Sequence, residues 1–399
     1  MLCMFCFLLG DEMRKRTKTI IILIDGVSPK QMNAYMPLLR AFGKRHGFAS
    51  IVSLLGYSIG IHPTIWSGKY QEEHGTFTTF YYDPEHSPFK WTRSLRFLPT
   101  HFLRKNFLAA LKAPYFLLPG GKKLTPKFIR NKVIPLPPAI PIGVAPYFSN
   151  NPLESKSGTI FEALEAEGVS CSKQSDSRGY FGEYKNLHEM SLTSSSIGFY
   201  YMYRSDELGH IHGPYSSHVE SYLRAADKKI AELVRDAEKS SGRVNFLLFS
   251  DHGMCEVRNF VNVQKILSKT GLKNGKDYIA FYDSTMARFW PKTGGSKEAI
   301  ITALSKTKGI TLLDNNLLKK YHIDFRDKKR YGELIFLLDP ETRIFPDYFA
   351  PIKGGVKGWH GFDPEFPESK GIFVTNLPLR KKEIKIVELF GFIKKACGV

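Results

Sequence analysis

Two runs of apolar, mostly β-branched or aromatic residues in this chain end abruptly at acidic residues. Residues 19–24 (TIIILI) stop at Asp25, and residues 244–249 (VNFLLF) stop at Ser250 and Asp251. Continuous runs of this kind are typical of strands that are buried on both faces of a parallel sheet. The pattern therefore predicts two central strands, each followed directly by a carboxylate.

Helices are predicted between these strands. Ser28 and Pro29 favour a helix start, because serine caps the first N–H groups and proline fits the first helical position. The apolar side of that helix would consist of Met36, Leu38, Leu39 and Phe42. Residues 47–54 resemble another strand, and residues 216–240 carry an apolar stripe at helical spacing. The sequence predicts an α/β fold: a doubly wound, mostly parallel central sheet with helices on both faces.

Residues 84–150 interrupt this pattern. They hold eleven Lys and Arg, one acidic residue (Glu85) and 11 of the 23 prolines, with ten aromatic residues interleaved. Proline is excluded from central strands, so we expect an inserted segment, either a substrate cap or a surface excursion without a catalytic role. Residues 264–345 are expected to form a second insertion, with strands near 278–291 and 332–337 and a helix at 296–307. The catalytic core would then be 1–83, 151–263 and 346–399.

The charge of the chain favours anionic partners. It carries 57 Lys and Arg against 38 Asp and Glu, a net charge of +19 with a pI near 9.5. Such a surface attracts phosphorylated substrates, nucleic acid or an anionic membrane. Hydrophobic content of 43% excludes general disorder.

The N-terminus and the cysteines bear on the cellular setting. Residues 1–10 are apolar but too short to span a bilayer, so no transmembrane segment is expected. Basic residues follow this stretch rather than precede it, unlike a signal peptide. The five cysteines are odd in number and scattered, which argues against a disulfide framework. We expect a cytoplasmic protein, with peripheral membrane association as the alternative.

Candidate metal ligands, all aspartates and histidines, follow the two predicted strands, and others lie in two further motifs. Their motifs are IDG at Asp25, SDELGHIHGP with Asp206 and His210, FSDHGM with Asp251 and His252, and GWHGFDP with His360. A mixture of aspartate and histidine suits zinc or a similar ion, whereas magnesium and calcium favour carboxylates alone. Taken singly, each residue could be a helix cap, a turn residue or a structural histidine. The remaining histidines are interpreted as structural, among them His62, His74, His86, His101 and His212.

In this order, with a hydroxyl residue before GKYxxxHG, the motifs resemble those of the alkaline phosphatase superfamily. The greatest similarity is to its type I phosphodiesterase and nucleotide pyrophosphatase branch. The resemblance covers Asp25 to His360 and implies two divalent ions, Zn²⁺ or alternatively Mn²⁺. One ion would be bound by Asp206, His210 and His360. The other would be bound by Asp25, Asp251 and His252 together with the nucleophile oxygen of Ser58.

The resemblance also implies the nucleophile and a phosphate donor. In the pyrophosphatase branch a threonine lies ten residues before the glycine of this stretch, and counting back from Gly68 gives Ser58. Thr64 is a competing hydroxyl that ranks below it. The branch's phosphate-binding asparagine corresponds to Thr79, a shorter donor, so nucleotide specificity does not follow from the resemblance.

The expected function is hydrolysis of phosphodiesters or pyrophosphates through a phosphoserine intermediate on Ser58. The substrate would be a phosphorylated small molecule or a lipid-linked phosphate; nucleic acid is less favoured. A phosphomonoesterase or phosphotransferase is the nearest alternative. The non-enzyme alternative is a module that binds nucleic acid or anionic lipid through its basic insertion, although such a module has no need for the metal ligands.

Overall fold

The structure is a computed structural model of the 399-residue chain. It describes residues 17–90, 92, 140–141, 143–151, 158–176, 185–188, 190, 195–241, 243–349 and 355–399. Residues 1–10 and most of the basic insertion, including Lys122, Lys123 and Lys127, lie outside these ranges.

The chain divides into two compact units. The first consists of Met1–His74, Ser155–Glu256 and Lys357–Val399, and the second of Gly75–Glu154 and Val257–Val356. The three-part division expected from sequence remains a prediction.

Strands and helices are numbered in chain order through both units. The first unit contains the strands β1 (Lys18–Ile24), β2 (Phe48–Val52), β5 (Cys171–Ser175), β6 (Ile197–Met202), β7 (Val244–Phe249), β8 (Cys255–Glu256), β15 (Gly358–Trp359), β16 (Gly371–Thr375) and β17 (Glu383–Lys385). Its helices are α1 (Pro29–Tyr35), α2 (Pro37–Arg45), α3 (Ser58–Ser67), α4 (Gln71–His74), α5 (Ile160–Ala166), α6 (Arg204–His212), α7 (Ser217–Ser241) and α12 (Leu389–Cys397).

The first unit is built on a seven-stranded sheet in the order β17-β2-β16-β7-β1-β6-β5. Strand β1 is parallel to both neighbours, and Ile21 lies opposite Phe199 on one side and Leu247 on the other. Only β16 runs antiparallel to its neighbours β2 and β7. The prediction of a mostly parallel central sheet is therefore confirmed.

The alternation of side chains along β1 distributes its residues between two cores. Ile20 and Ile22 contribute to a core that also includes Met32 of α1, Leu39 of α2 and Leu223 of α7. Ile21 and Leu23 contribute to the opposite core, which includes Ile61 and Ile65 of α3, Leu164 of α5 and Leu389 of α12. Each fully buried isoleucine stabilises the fold by roughly 1.5–3 kcal/mol relative to an exposed one. Helices thus cover both faces of the sheet, as predicted.

The predicted helix after Ser28 is two helices. The Ser28 cap forms as expected, since its side chain and that of Gln31 complete a reciprocal capping box. Helix α1 ends at Tyr35, however, and Met36 has a non-helical backbone (φ −123°, ψ 68°). Pro37 has no N–H to continue the hydrogen-bond ladder and disfavours the helical conformation of the residue before it. Leu38, Leu39 and Phe42 therefore lie on the separate helix α2.

The second unit contains β3 (Phe80–Tyr82), β4 (Phe148–Asn150), β9 (Asn259–Val261), β10 (Tyr278–Tyr282), β11 (Met286–Pro291), β12 (Ile310–Leu312), β13 (Leu334–Leu338) and β14 (Thr342–Ile344). Its helices are α8 (Val263–Ser268), α9 (Ser296–Ser305), α10 (Asn315–Lys320) and α11 (Lys328–Tyr331). Strands β10-β11-β13-β12 form an antiparallel sheet. The single strand expected at 278–291 is an antiparallel hairpin, because Asp283, Ser284 and Thr285 turn the chain between β10 and β11.

No helix in the described part of the chain is long and apolar enough to cross a bilayer.

Candidate metal centre

Five of the six candidate ligands in the first unit lie at the carboxyl ends of three neighbouring parallel strands, and the sixth, His360, follows β15. Asp25 directly follows β1, and Asp251 and His252 follow β7 after one intervening serine. Asp206 and His210 lie on α6, which begins two residues after β6 ends. Because β7, β1 and β6 are adjacent and parallel, their ends meet at one edge of the sheet. This is the edge at which the doubly wound fold was expected to hold its chemistry.

His252 lies at the centre of the first group of candidate ligands. Its Nε2 atom is 3.4 Å from Asp25 Oδ1 and 3.3 Å from Asp251 Oδ2. One ligand atom from each of these three residues lies within 4.8 Å of the other two. All three residues are buried. The structure thus brings together the three residues that the family resemblance assigned to one ion.

Asp206 lies between the two histidines of the second group of candidate ligands. Its Oδ2 atom is 3.3 Å from His210 Nε2, one helical turn away, and its Oδ1 atom is 3.7 Å from His360 Nε2. His252 also belongs to this group, since ligand atoms of Asp206, His252 and His360 lie within 4.8 Å of one another. The rings of His252 and His360 stack with centroids 3.7 Å apart. The two groups therefore form one continuous site.

Two glycines of the motifs permit these close approaches. Gly26 has a φ of +70°, and a Cβ atom there would lie 3.2 Å from Asp206 Oδ1. At Gly209 a Cβ atom would lie 2.4 Å from the sulfur of Met254, well below any normal contact distance. Only glycine fits where α6 meets the segment that follows His252. The glycine of the DxxGH motif is thus in direct contact with the methionine of the SDHGM motif.

Backbone carbonyls fix the orientation of two histidine rings. His210 Nδ1 lies 2.9 Å from the carbonyl oxygen of Gly358, and His252 Nδ1 lies 2.8 Å from that of Gly253. A carbonyl can only accept a hydrogen bond, so each Nδ1 carries a proton and donates it. The Nε2 atom of each ring then faces the carboxylates, which is the usual arrangement of a metal-ligating histidine.

Several buried polar atoms of the site lack hydrogen-bond partners among the described residues. They are Oδ1 of Asp25, Oδ1 of Asp206 and Nδ1 of His360. Three carboxylates buried in one pocket repel each other, and an unpaired buried polar atom is costly. A divalent cation would relieve both costs. The mixed nitrogen and oxygen donors fit zinc or a similar ion.

The pKa values of the three buried carboxyl groups shift in different directions. Burial raises the pKa of Asp25 well above its ordinary value, and the charges of Asp251 and Asp206 raise it further. Burial also disfavours the ionised form of Asp206, but the neighbouring His210 and His360 outweigh it and lower the pKa to about 2. For Asp251, burial is likewise outweighed by His252 and His62, and the pKa falls below its ordinary value. Asp25 is thus the carboxyl whose ionisation most needs a cation.

Ser58 is the first residue of α3, as its predicted position at a helix start requires. Its hydroxyl oxygen lies 3.1 Å from His252 Nε2. Backbone N–H groups at a helix N-terminus favour a phosphate. The competing hydroxyl, Thr64, is fully buried and lies 3.0 Å from His74 Nε2. Burial and this pairing argue against Thr64 as the nucleophile.

Sequence analysis missed two residues of the site. His62, one of the histidines interpreted as structural, contacts the site, since its Nε2 lies 3.0 Å from Asp251 Oδ2. Its spacing of four residues from Ser58 was the available signal, because such residues share a helix face. Tyr201 donates a hydrogen bond of 2.5 Å to Asp25 Oδ2. Tyr201 lies on β6, which the hydrophobic pattern did not identify.

The other histidines and Thr79 lie elsewhere. His86 is exposed beside Asp83, and the exposed His212 stacks on His218, whereas His101 lies outside the described residues. Burial lowers the pKa of His74 to about 4. Thr79 belongs to the second unit, where its carbonyl accepts the N–H of Asn151 at 2.8 Å. Its role as a phosphate donor remains a prediction.

Comparisons with known proteins agree with these motifs. Venom phosphodiesterase 2 of Crotalus adamanteus is 24% identical over 191 residues, which span 45% of this chain and 22% of the venom enzyme. Venom phosphodiesterase 1 of the same snake is also 24% identical over 191 residues, 45% of this chain and 21% of its own length. The chain therefore matches only about a fifth of the length of these curated relatives.

Solved structures show the same fold along nearly the whole chain. An inactive variant of murine ectonucleotide pyrophosphatase/phosphodiesterase 5, in complex with AMP, has a TM-score of 0.64 at 15% identity and covers 96% of this chain and 95% of its own. The human protein has a TM-score of 0.63 at 16% identity, with coverage of 96% and 95%. The family model described as type I phosphodiesterase / nucleotide pyrophosphatase matches residues 19–363. This chain is therefore a member of the type I phosphodiesterase / nucleotide pyrophosphatase family.

Proposed function

We propose that this chain hydrolyses phosphodiesters or pyrophosphates with Ser58 as its nucleophile and two divalent metal ions as cofactors. The observation that carries the proposal is the position of the Ser58 hydroxyl, 3.1 Å from His252 Nε2 in the pocket of buried aspartates and histidines. A hydroxyl at a helix start beside metal ligands is the arrangement that phosphoryl transfer needs. Family membership supports the same reaction class.

Each ion has its own set of ligands in this proposal. Asp25, Asp251 and His252, with the Ser58 oxygen, would hold one ion, and Asp206, His210 and His360 would hold the other. Three aspartates and three histidines suit zinc, with manganese as the alternative. When bound, such ions supply positive charge that favours loss of the serine proton and neutralises phosphate oxygens.

The covalent steps fall to Ser58. Its hydroxyl loses a proton to solvent, and the oxygen attacks phosphorus as the bond to the leaving oxygen breaks. The leaving group takes up a proton, and a phosphoserine remains that still carries the other substituent of the substrate phosphate. A water molecule then attacks the phosphorus, the bond to the Ser58 oxygen breaks, and the serine is reprotonated. The α3 N-terminus would help to hold the phosphate throughout.

The substrate class is inferred from the family and from charge. The name of the venom relatives and the AMP complex of the murine neighbour favour a nucleotide or another phosphodiester, with Thr79 as a candidate phosphate donor. The net charge of +19 favours an anionic substrate, lipid-linked phosphates included. Turnover of phosphomonoesters or transfer to another acceptor is the alternative outcome. A cytoplasmic setting is part of this proposal.

A substrate panel tests the proposal. The zinc-loaded protein should hydrolyse bis(p-nitrophenyl) phosphate faster than p-nitrophenyl phosphate. Ser58→Ala should lower kcat/KM by about 10³-fold or more while the protein stays folded, because nothing replaces the nucleophile. Ser58→Thr keeps a hydroxyl and serves as the matched control, with measurable activity. Near wild-type rates for Ser58→Ala would refute Ser58 as the nucleophile, and faster monoester turnover would favour the alternative.

A further inference from the structure

We propose that His62 is a positioning residue that holds the Asp251 carboxylate in orientation for its metal ion and links the helix of the nucleophile to that ion. The inference rests on the proposed metal-dependent function. His62 lies one helical turn after Ser58 on α3, and its Nε2 is 3.0 Å from Asp251 Oδ2. A carboxylate only accepts hydrogen bonds, so this Nε2 donates one to Asp251.

The Asp251 carboxylate is held at both of its oxygens. Oδ1 accepts the backbone N–H of His252 at 3.1 Å and that of Gly26 at 3.4 Å. Oδ2 accepts from His62 and also lies 3.3 Å from His252 Nε2. The backbone alone would leave the carboxylate free to rotate about its Oδ1 contacts. The hydrogen bond from His62 therefore determines where Oδ2 points.

A parallel contact holds the neighbouring ligand Asp25. Tyr201 donates to Asp25 Oδ2 at 2.5 Å, and the rings of Tyr201 and His62 lie perpendicular with centroids 5.7 Å apart. The two side chains that orient the two carboxylates thus pack against each other. Outer partners of this kind typically change metal affinity 10–100-fold when they are removed.

The helix does not depend on His62 for its place in the fold. Ile61, Ile65 and Trp66 of α3 are buried in the core beneath the sheet, and Thr64 is hydrogen-bonded to His74. Burying an imidazole costs free energy that an apolar side chain of similar volume would not. A purely structural role would be filled as well by leucine. The polar contact to Asp251 is the feature that leucine cannot replace.

The helix contacts two adjacent ligands at once. Ser58 and His62 share one face of α3, with Ser58 Oγ at 3.1 Å from His252 Nε2 and His62 bound to Asp251. A shift of α3 would therefore move the nucleophile and the Asp251 carboxylate together. We infer that His62 keeps the nucleophile aligned with the ion that it serves.

The test compares amide replacements of His62. The side-chain nitrogen of His62→Gln can take the place of imidazole Nε2 and reach Asp251, whereas that of His62→Asn corresponds to Nδ1 and falls short. Zinc affinity of the full chain is measured by competition with a chromogenic chelator, and folding by thermal denaturation of the metal-free protein. We expect His62→Asn and His62→Leu to weaken zinc binding by about 10–100-fold and His62→Gln to stay within a few-fold of wild type.

Two controls separate the possible failures. Thr64→Val, on the same helix as His62, removes the hydrogen bond to His74 of α4 and should lower the melting temperature without changing zinc affinity. Asp251→Asn removes a proposed ligand and should weaken zinc binding strongly.

If Asp251→Asn leaves zinc affinity unchanged, the proposed metal site itself is wrong. If Asp251→Asn weakens binding but the asparagine and glutamine variants of His62 bind zinc equally, the positioning role alone is refuted. If His62→Leu fails to fold, the zinc affinities of His62→Gln and His62→Asn still test the positioning role.

Discussion

The hydroxyl oxygen of Ser58 lies 3.1 Å from Nε2 of His252, although 194 positions separate the two residues in the chain. The first residue begins a helix, and the second follows a central strand. Their proximity means that the helix start carrying the candidate nucleophile faces the edge of the sheet that carries the candidate metal ligands. The account of this protein as a phosphoryl-transfer enzyme depends on that relationship.

Removing a single histidine should remove a single ion. His210→Ala eliminates a proposed ligand beside Asp206, so metal content per chain should fall from about two zinc ions towards one. The measurement is elemental analysis of protein dialysed against a metal-buffered solution. His212→Ala is the matched control, because His212 lies two residues later on the same helix and is exposed.

The control should retain the full metal content. Equal zinc content in the His210→Ala variant and the wild type would contradict the assignment of His210 as a ligand.

The raised pKa of Asp25 predicts opposite effects on stability and on metal binding. A carboxyl whose folded pKa is raised stabilises the protein below its unfolded pKa, and this stability is lost as the pH rises through the folded pKa. The surroundings of Asp25 favour its protonated form. At neutral pH, either keeping the carboxyl protonated or burying it ionised therefore lowers the unfolding free energy of the metal-free protein. Asp25→Asn should raise the melting temperature of the metal-free protein at pH 7 and weaken zinc binding.

The control for this prediction is another buried aspartate. Asp227 accepts the N–H groups of Leu38 and Leu39, both at 2.8 Å, and caps α2. Burial raises the pKa of Asp227 as well, but the two N–H groups favour its ionised form. Asp227→Asn removes one of the two accepting oxygens, so it should lower the melting temperature and reduce the free energy of unfolding by about 1 kcal/mol. A fall in melting temperature for Asp25→Asn, of the size seen for Asp227→Asn, would show that Asp25 has an ordinary structural role.

Much of the fold and the site followed from local sequence patterns. The run at 19–24 and the run at 244–249 lie within β1 and β7, because strands buried on both faces must be apolar throughout. The ligands after them could then be placed at one sheet edge. The sequence analysis did not predict that the helix after Ser28 would be interrupted at Met36, although Pro37 is a local signal for a helix boundary. Strand β6 was not identified, so Tyr201 could not be assigned to the site.

The spacing of four residues places His62 on the same helix face as Ser58, but it does not identify what His62 contacts. A histidine on a buried helix face is more often structural than functional. What distinguishes His62 is its contact with Asp251, which is 189 positions away in the chain. Only the tertiary packing of α3 against the end of β7 brings the two together.

The basic segment is expected to act on substrate capture. Replacing Lys122, Lys123 and Lys127 with alanine removes three of the charges of a segment with net +10, residues 84–150. If this charge steers the anionic substrate, KM should rise and its dependence on ionic strength should weaken, while kcat on a small aryl ester changes little. These lysines lie outside the described residues, so the prediction rests on charge alone.

Alanine replacement of Lys228, Lys239 and Lys382 removes the same charge from exposed positions of the first unit. This control should leave KM nearly unchanged. Equal effects of the two triple variants would show that only the net charge of the protein matters.

The central claim is that Ser58 attacks phosphorus, and the most direct test is to trap the product of that attack. Zinc-loaded protein is mixed with bis(p-nitrophenyl) phosphate, quenched in acid during turnover and digested for mass spectrometry. Attack by Ser58 expels one p-nitrophenol and leaves the other on phosphorus, so the account predicts one added p-nitrophenyl phosphoryl group, about 201 Da, on the peptide that contains Ser58. This group should be absent from metal-free protein and from Ser58→Ala. Continued hydrolysis with unmodified Ser58 and a phosphoryl group on another residue such as Thr64 would contradict it.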